Sequence, residues 1–147
     1  MDSKLVYLVQ TDTTVGFSSS DDEKLSKLKE RPPTQKILQT VDSFKTLKQN
    51  TRVPKKYRKR IRNSKRTTYI YPNKMSFRVI STDSDFYDFI HKFNILFSTS
   101  ANRTGKMYQK EFANERSEVI VEDKNNFFET TASKIIKVSK NTIFRIR

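Results

Sequence analysis

The apolar residues of this chain come in runs of four or five, and none is longer than a strand. "LVYLV" (5–9), "TTYIY" (67–71), "SFRVI" (76–80), "NILFS" (94–98), "EVIVE" (118–122), "KIIKV" (134–138) and "TIFRI" (142–146) read as seven strands. Between them lie stretches with helical spacing. "SDDEKLSKLKER" carries a capping-box pattern from Ser20 to Glu23 and apolar positions at Leu25 and Leu28. "VDSFKTLKQ" predicts a short helix packing Val41, Phe44 and Leu47, and "PKKYRKRIR" a third opened by Pro54. In "SDFYDFIHKF", Phe86, Phe89, Ile90 and Phe93 fall at i, i+3, i+4 and i+7. "TTYIY" and "SFRVI" flank a tight "PNK" turn and so predict an antiparallel pair. The pattern predicts an α+β chain with α/β-type layers. A twisted mixed sheet of about seven strands, flanked by about five helices, would form a single domain over 1–147.

Composition narrows the chemistry. Only 34% of residues are hydrophobic, but 11 Phe and 6 Tyr supply large apolar bodies for a core. With no Cys and one His (His91), neither a thiolate zinc site nor a multi-histidine metal site is available within one chain, and no metal is expected. No run approaches the ~20 apolar residues of a membrane span. The start lacks the shape of a signal peptide, so the cytoplasm is the expected address. The net charge of +14 is concentrated: residues 43–82 hold 13 Lys and Arg and no acid. Lys55, Lys56, Arg58, Lys59, Arg60, Arg62, Lys65 and Arg66 are the densest part. They read either as a nucleic-acid-binding surface or as a solvated basic helix.

Two polar clusters follow apolar runs, "QTDTTVG" (10–16) and "FSTSANRTG" (97–105), while "KLKERP" closes a helix and breaks at Pro32. Ligands of open α/β sheets bind beyond strand ends, so one pocket assembled from these loops is expected. The chain has only two glycines, and Gly105 is placed where such a loop must turn. Each cluster also has a plainer reading as a turn or cap, since Ser, Thr, Asp and Asn satisfy local backbone groups.

Taken in order, "QTDTTVG", "KERP" (29–32), "FRVI" (77–80), "STSAN" (98–102), "ASKI" (132–135) and "FRIR" (144–147) resemble the YrdC/TsaC family, as a short divergent member. That family carries P-T-[DE]-T-x-Y-G, K-x-R-P, an R-V strand, S-T-S-A-N, P-S-[TE]-I and a late Arg. Here Gln10 replaces the Pro, Val15 the Tyr, "FSSS" the longer segment after the Gly, and "NSKRTT" a Gly-Pro segment.

The resemblance implies a YrdC/RibB-like fold and an L-threonylcarbamoyladenylate synthase. Such an enzyme is a nucleotidyltransferase that condenses ATP, L-threonine and bicarbonate, with pyrophosphate released. Its product serves threonylcarbamoyladenosine modification of tRNA, so tRNA and the threonylcarbamoyl-transferase proteins become expected partners. Mg²⁺ would arrive with the triphosphate, and no tightly bound cofactor is implied. By this resemblance Lys29 and Arg31 are catalytic and clamp the triphosphate. Thr68, Ser100, Asn102 and Arg145 contact ATP; Thr11, Thr13, Arg78, Ser98 and Ser133 contact threonine. Ser98, Ser100 and Asn102 would share one side of an extended segment. Lys65 and Arg66 would belong to a lid over phosphates or, with the rest of the basic run, to an RNA-contacting face. A non-catalytic RNA-binding protein on the same fold is the alternative.

Overall fold

In the computed structural model, residues 1–147 are described apart from residue 33 and residues 123–125. The strands are β1 (Tyr7–Gln10), β2 (Val15–Ser19), β3 (Gln39–Val41), β4 (Thr67–Ile70), β5 (Ser76–Val79), β6 (Ile95–Ser100), β7 (Val119–Ile120), β8 (Lys134–Val138) and β9 (Ile143–Arg145). The helices are α1 (Asp22–Leu28), α2 (Phe44–Asn50), α3 (Arg58–Asn63), α4 (Tyr87–His91) and α5 (Lys110–Arg116), with a single 3-10 turn at Lys55–Tyr57 before α3. All nine strands join one mixed sheet in the order β7-β1-β2-β6-β3-β5-β4-β8-β9. The expected α+β architecture is present. β4 and β5 are the expected antiparallel pair, with Tyr69 opposite Phe77.

Partnered residues in a ladder point to the same side, so the register divides the sheet into two faces. One face runs Leu8, Phe17, Phe97, Val41, Phe77, Tyr69 and Ile136 across the strands. α1 and α5 cover it at one end, where Leu25, Leu28 and Phe112 pack on Leu8 and Phe17. α2 and α3 cover it at the other, through Leu47 and Ile61 against Val41, Tyr69 and Phe77. Each large apolar side chain buried here contributes about 1.5–3 kcal/mol, which holds these short helices in place. The opposite face carries Val9, Gly16, Ser98, Thr40, Arg78, Thr68 and Ile135. Among the described residues α4 is the one helix packed there, with Phe89 and Ile90 against Tyr7, Val9 and Leu96. The rest of that face is polar and open.

Four local expectations are corrected. Among the described residues β2 and β3 raise the strand count from seven to nine. Val41 ends β3 instead of opening a helix; α2 begins after Ser43, whose hydroxyl accepts from the Thr46 amide at 3.1 Å. The N-cap of α1 is Asp21, which accepts from Lys24 N at 3.1 Å, while Ser20 Oγ turns to Ser3 Oγ at 3.0 Å. Finally, α1 ends before Pro32. Glu30 adopts a left-handed conformation (φ 56°), Glu30 N bonds Lys27 O, and Arg31 N bonds Ser26 O at 2.9 Å. This paired closure is a Schellman motif, and it aims Lys29 and Arg31 differently.

Candidate functional site: a polar half-face of the sheet

The open half-face is a cavity of about 300 Å³, lined among others by Thr11, Thr13, Gly16, Arg31, Lys36, Thr68, Arg78, Ser98, Ser100, Ser133 and Arg147. It spans strand residues such as Gly16, Arg78 and Ser98 together with the expected loops at strand ends, through Thr11, Thr13, Arg31 and Ser133. The alternation places it there: Phe17, Phe97 and Phe77 enter the core, so Ser18, Ser98 and Arg78 must point the other way. The expected loop "STSAN" is therefore mostly strand, and β6 runs through Ser100. Gly16 forms the floor. A Cβ on it would stand 2.9 Å from the Thr99 carbonyl oxygen and 3.3 Å from Thr11 Cγ2. Gly105 serves a different need. It turns with φ 75°, and a Cβ there would meet nothing within 4 Å, so backbone angle alone selects it.

A chain of buried polar contacts crosses this face. Arg78 Nε donates to both oxygens of Asp12 at 3.1 Å, and Nη2 to Oδ1 at 2.9 Å. The two side chains are 4% and 6% exposed. Arg78 Nη1 reaches Thr68 Oγ1 at 3.5 Å, and that hydroxyl bonds Ser133 Oγ at 2.8 Å. Arg78 faces the pocket as expected, but its charge is met by Asp12 at the β1–β2 turn. The turn is held by Thr11, whose hydroxyl donates to Thr14 O at 2.5 Å and accepts from Thr13 N and Thr14 N. Thr11 thus combines its place on the pocket wall with the turn role that the plainer reading gave it.

Lys29 and Arg31 part company. Lys29 is 4% exposed, and its Nζ donates to Ser100 O at 2.9 Å, Asn102 O at 2.5 Å and Asn102 Oδ1 at 3.0 Å. It straps the end of α1 to the end of β6 and does not line the cavity; neither does Asn102. Burial, reinforced by the neighbouring Arg31 charge, lowers the Lys29 ammonium to about 8. Arg31 lies on the cavity wall, and its Nε is buried without a hydrogen-bond partner among the described residues. Such a donor costs free energy until an acceptor arrives.

The late arginine of the pocket is Arg147, not Arg145. Arg145 pairs with Ile136 on the helix-covered face and borders a separate hollow with Arg60 and Lys65. Past β9, Ile146 N and Arg147 N both bond Ile135 O. This bulge-like doubling breaks the alternation and brings Arg147 Nε to Ser133 O at 3.0 Å. The lid reading fails on the same grounds. α3 packs on the covered face, Lys65 pairs with Asp83 at 2.7 Å, and Arg66 donates to Thr131 O at 3.1 Å. None of residues 52–66 lines the cavity. Sequence reasoning missed Gly16, Lys36 and Arg147. Gly16 carried a usable signal, since it is one of two glycines and interrupts an otherwise strand-like "VGFSS". Among the described residues no three His, Cys, Asp or Glu come together, and no helix is long and apolar enough to cross a membrane.

A mixed sheet with helices crowded on one face and a polar half-face on the other is the YrdC/RibB-like α+β fold that the motifs implied. Solved structures share it across 98% of this chain. P. abyssi Sua5 complexed with L-threonine superposes with a TM-score of 0.77 at 16% identity, and this chain spans 50% of that one. E. coli YciO gives 0.76 at 14% identity, and MTH1692 from Methanobacterium thermoautotrophicum 0.71 at 17%, with 82% and 80% of those chains covered. No protein-family model and no curated sequence matches the chain.

Proposed function

We propose that this chain is a nucleotidyltransferase that condenses ATP, L-threonine and bicarbonate to threonylcarbamoyl-AMP and pyrophosphate, for threonylcarbamoyladenosine modification of tRNA. The observation that carries the reading is the cationic, hydroxyl-lined half-face, in a fold shared with a Sua5 that binds L-threonine. Threonine and bicarbonate first lose water to give a carbamate. A carbamate oxygen then bonds the α-phosphorus of ATP, the bond to the bridging oxygen breaks, and pyrophosphate leaves. No protein nucleophile is needed, so the chain's task is to position anions and offset their charge.

Arg31, Lys36 and Arg147 bring three cations to the pocket beside the paired Arg78, and among the described residues no acid lines its wall. Arg31 Nε is a ready donor to a phosphate oxygen. Thr13, Ser98, Ser100, Thr68 and Ser133 supply hydroxyls along the same wall. Lys29 supports this site by holding Ser100 and Asn102, and Arg78 orders the Asp12 turn. The residues suit a triphosphate, whose Mg²⁺ would come with it, because the Asp12 carboxylate beside the pocket is spent on Arg78.

A pyrophosphate-release assay tests the reading. Release from ATP is expected only when threonine and bicarbonate are both present. Release independent of threonine, or none, overturns the synthase assignment; salt-sensitive RNA binding without release would favour the non-catalytic alternative.

A further inference from the structure

Folding polarises this molecule more sharply than its sequence does. Residues 43–82 carry 13 cations and no acid, and residues 130–147 carry five more and no acid. The remainder, with 12 basic residues against 16 acids, is net −4. The two acid-free stretches are far apart in sequence, but β4 and β8 pair in parallel from Thr67–Lys134 to Ile70–Lys137. Tyr57 Oη donates to Asn141 O at 2.7 Å and Lys56 Nζ to the same oxygen at 3.4 Å, tying the 3-10 turn to the β8–β9 hairpin. Of the eighteen cations, only Arg78 and Lys65 meet a carboxylate among the described residues. Arg147 and Lys137 turn to the opposite face, and the densest group of the rest surrounds α3. Arg52, Lys55, Lys56, Arg58 and Lys140 rim a hollow of about 670 Å³ before it, and Arg60, Lys65, Lys134 and Arg145 one of about 490 Å³ at its far end.

We infer that this basic face, formed by the 3-10 turn, α3 and the β8–β9 hairpin on the side of the sheet away from the polar pocket, is a second site that binds folded RNA through its phosphate backbone. Repulsion among so many unpaired cations is relieved by a polyanion, and two hollows along one helix suit a continuous row of phosphates. A membrane surface fits less well. Insertion needs exposed apolar wedges beside the cations. Met1, Met107, Ile120 and Phe128 lie outside both acid-free stretches and Phe144 projects from the other side of β9, which leaves Ile146 as the one large exposed apolar side chain in them among the described residues, too little for a wedge. DNA fits less well too. α3 has six residues, about 9 Å of helix, and buries Ile61 against the sheet, so it cannot enter a major groove to read bases. A broad face without a reading helix matches the shape-and-phosphate recognition of RNA.

The inference is independent of the synthase reading, and its assay contains no ATP. Fluorescence anisotropy would follow a labelled hairpin RNA of roughly two helical turns, between about 50 and 200 mM KCl. Wild type is expected to bind, weakening at least tenfold across that range. Lys55→Gln/Lys56→Gln/Lys59→Gln/Arg60→Gln should bind at least ~10-fold more weakly, with a salt slope shallower by about 2–3. Its melting temperature should hold, because all four side chains are exposed. Arg31→Ala should bind RNA as wild type does. The inference is overturned by no binding at the low salt, by unchanged binding of the quadruple variant, by equal affinity for a DNA duplex of the same sequence, or by preference for phosphatidylserine vesicles. Loss of binding in Arg31→Ala alone would place RNA in the polar pocket and equally overturn it.

Discussion

Removing Asp12 isolates the largest electrostatic commitment in the fold. Arg78 and Asp12 form three contacts of 2.9–3.1 Å with side chains 4% and 6% exposed. Asp12→Ala would leave the guanidinium buried with Thr68 Oγ1, at 3.5 Å, as its remaining partner. Breaking one side of such a pair costs about 3–5 kcal/mol, because the surviving charge stays desolvated. For a chain of this size that is roughly 6–20 °C in melting temperature. Asp12→Asn, which keeps the shape and part of the hydrogen bonding, should cost less. Urea denaturation of Asp12→Ala, Arg78→Met and the double variant gives the coupling. The double variant should recover most of the loss, since no lone charge remains. A cost under about 1 kcal/mol for Asp12→Ala, or additivity within ~0.5 kcal/mol, would refute the reasoning. The same variants probe the pocket. If Arg78 can receive a substrate carboxylate, L-threonine at one fixed concentration, about a hundred times its Kd for Asp12→Asn, should stabilise that variant by about 2.7 kcal/mol and the wild type by less. Equal stabilisation of the wild type would mean that Arg78 is not the anchor.

Arg31→Ala and Lys29→Met should separate function from support. Arg31→Ala is expected to change stability by less than about 0.5 kcal/mol and to slow pyrophosphate release roughly 30-fold or more. Lys29→Met leaves Ser100 O and Asn102 O without their donor and should cost about 1–3 kcal/mol in urea; equal stabilities for the two variants would contradict the assignment. Lys29 also sets a pH signature. Its proton leaves the folded chain near 8, ahead of the unfolded chain, which holds it until about 10.5, so the unfolded state binds more protons in that window. The stability of wild type relative to Lys29→Met should therefore rise as pH climbs through that window, and melts at several pH values that show a flat or falling difference would refute it. Gly16→Ala forces a methyl against the Thr99 carbonyl and should cost about 1–3 kcal/mol by thermal melt, whereas Gly105→Ala should lose about 1 kcal/mol through backbone angle alone.

Strongly periodic or β-branched segments were legible one residue at a time. The stripe Phe86, Phe89 and Ile90 produced a helix that buries all three, and "TTYIY" and "SFRVI" produced adjacent antiparallel strands. These need only local information, because the spacing of apolar residues already defines a face. β2 escaped because Gly16, the floor of the pocket, and the buried Ser18 and Ser19 dilute the apolar signal that Val15 and Phe17 supply. β3 escaped because three residues are too few to show a period, and Gln39 and Thr40 are strand residues only by their place between β5 and β6.

The candidate site divides in the same way. Motif order placed Thr11, Arg31, Thr68, Arg78, Ser98, Ser100 and Ser133 around one cavity, since alternation along a strand is a sequence property. What a charged side chain does once it arrives depends on neighbours that no local pattern names. The left-handed Glu30 sends Lys29 into the β6 exit while leaving Arg31 at the pocket. The doubled bond to Ile135 O exchanges Arg145 for Arg147. The basic run was visible as charge, but ladder register decided that it lies across the sheet from the pocket, because a residue's face is fixed by its partner strand. Sequence alone thus determined the strongly periodic elements and which of their side chains leave the core; only tertiary pairing decided β3, and which charges meet carboxylates, which meet carbonyls, and which stay free for a ligand.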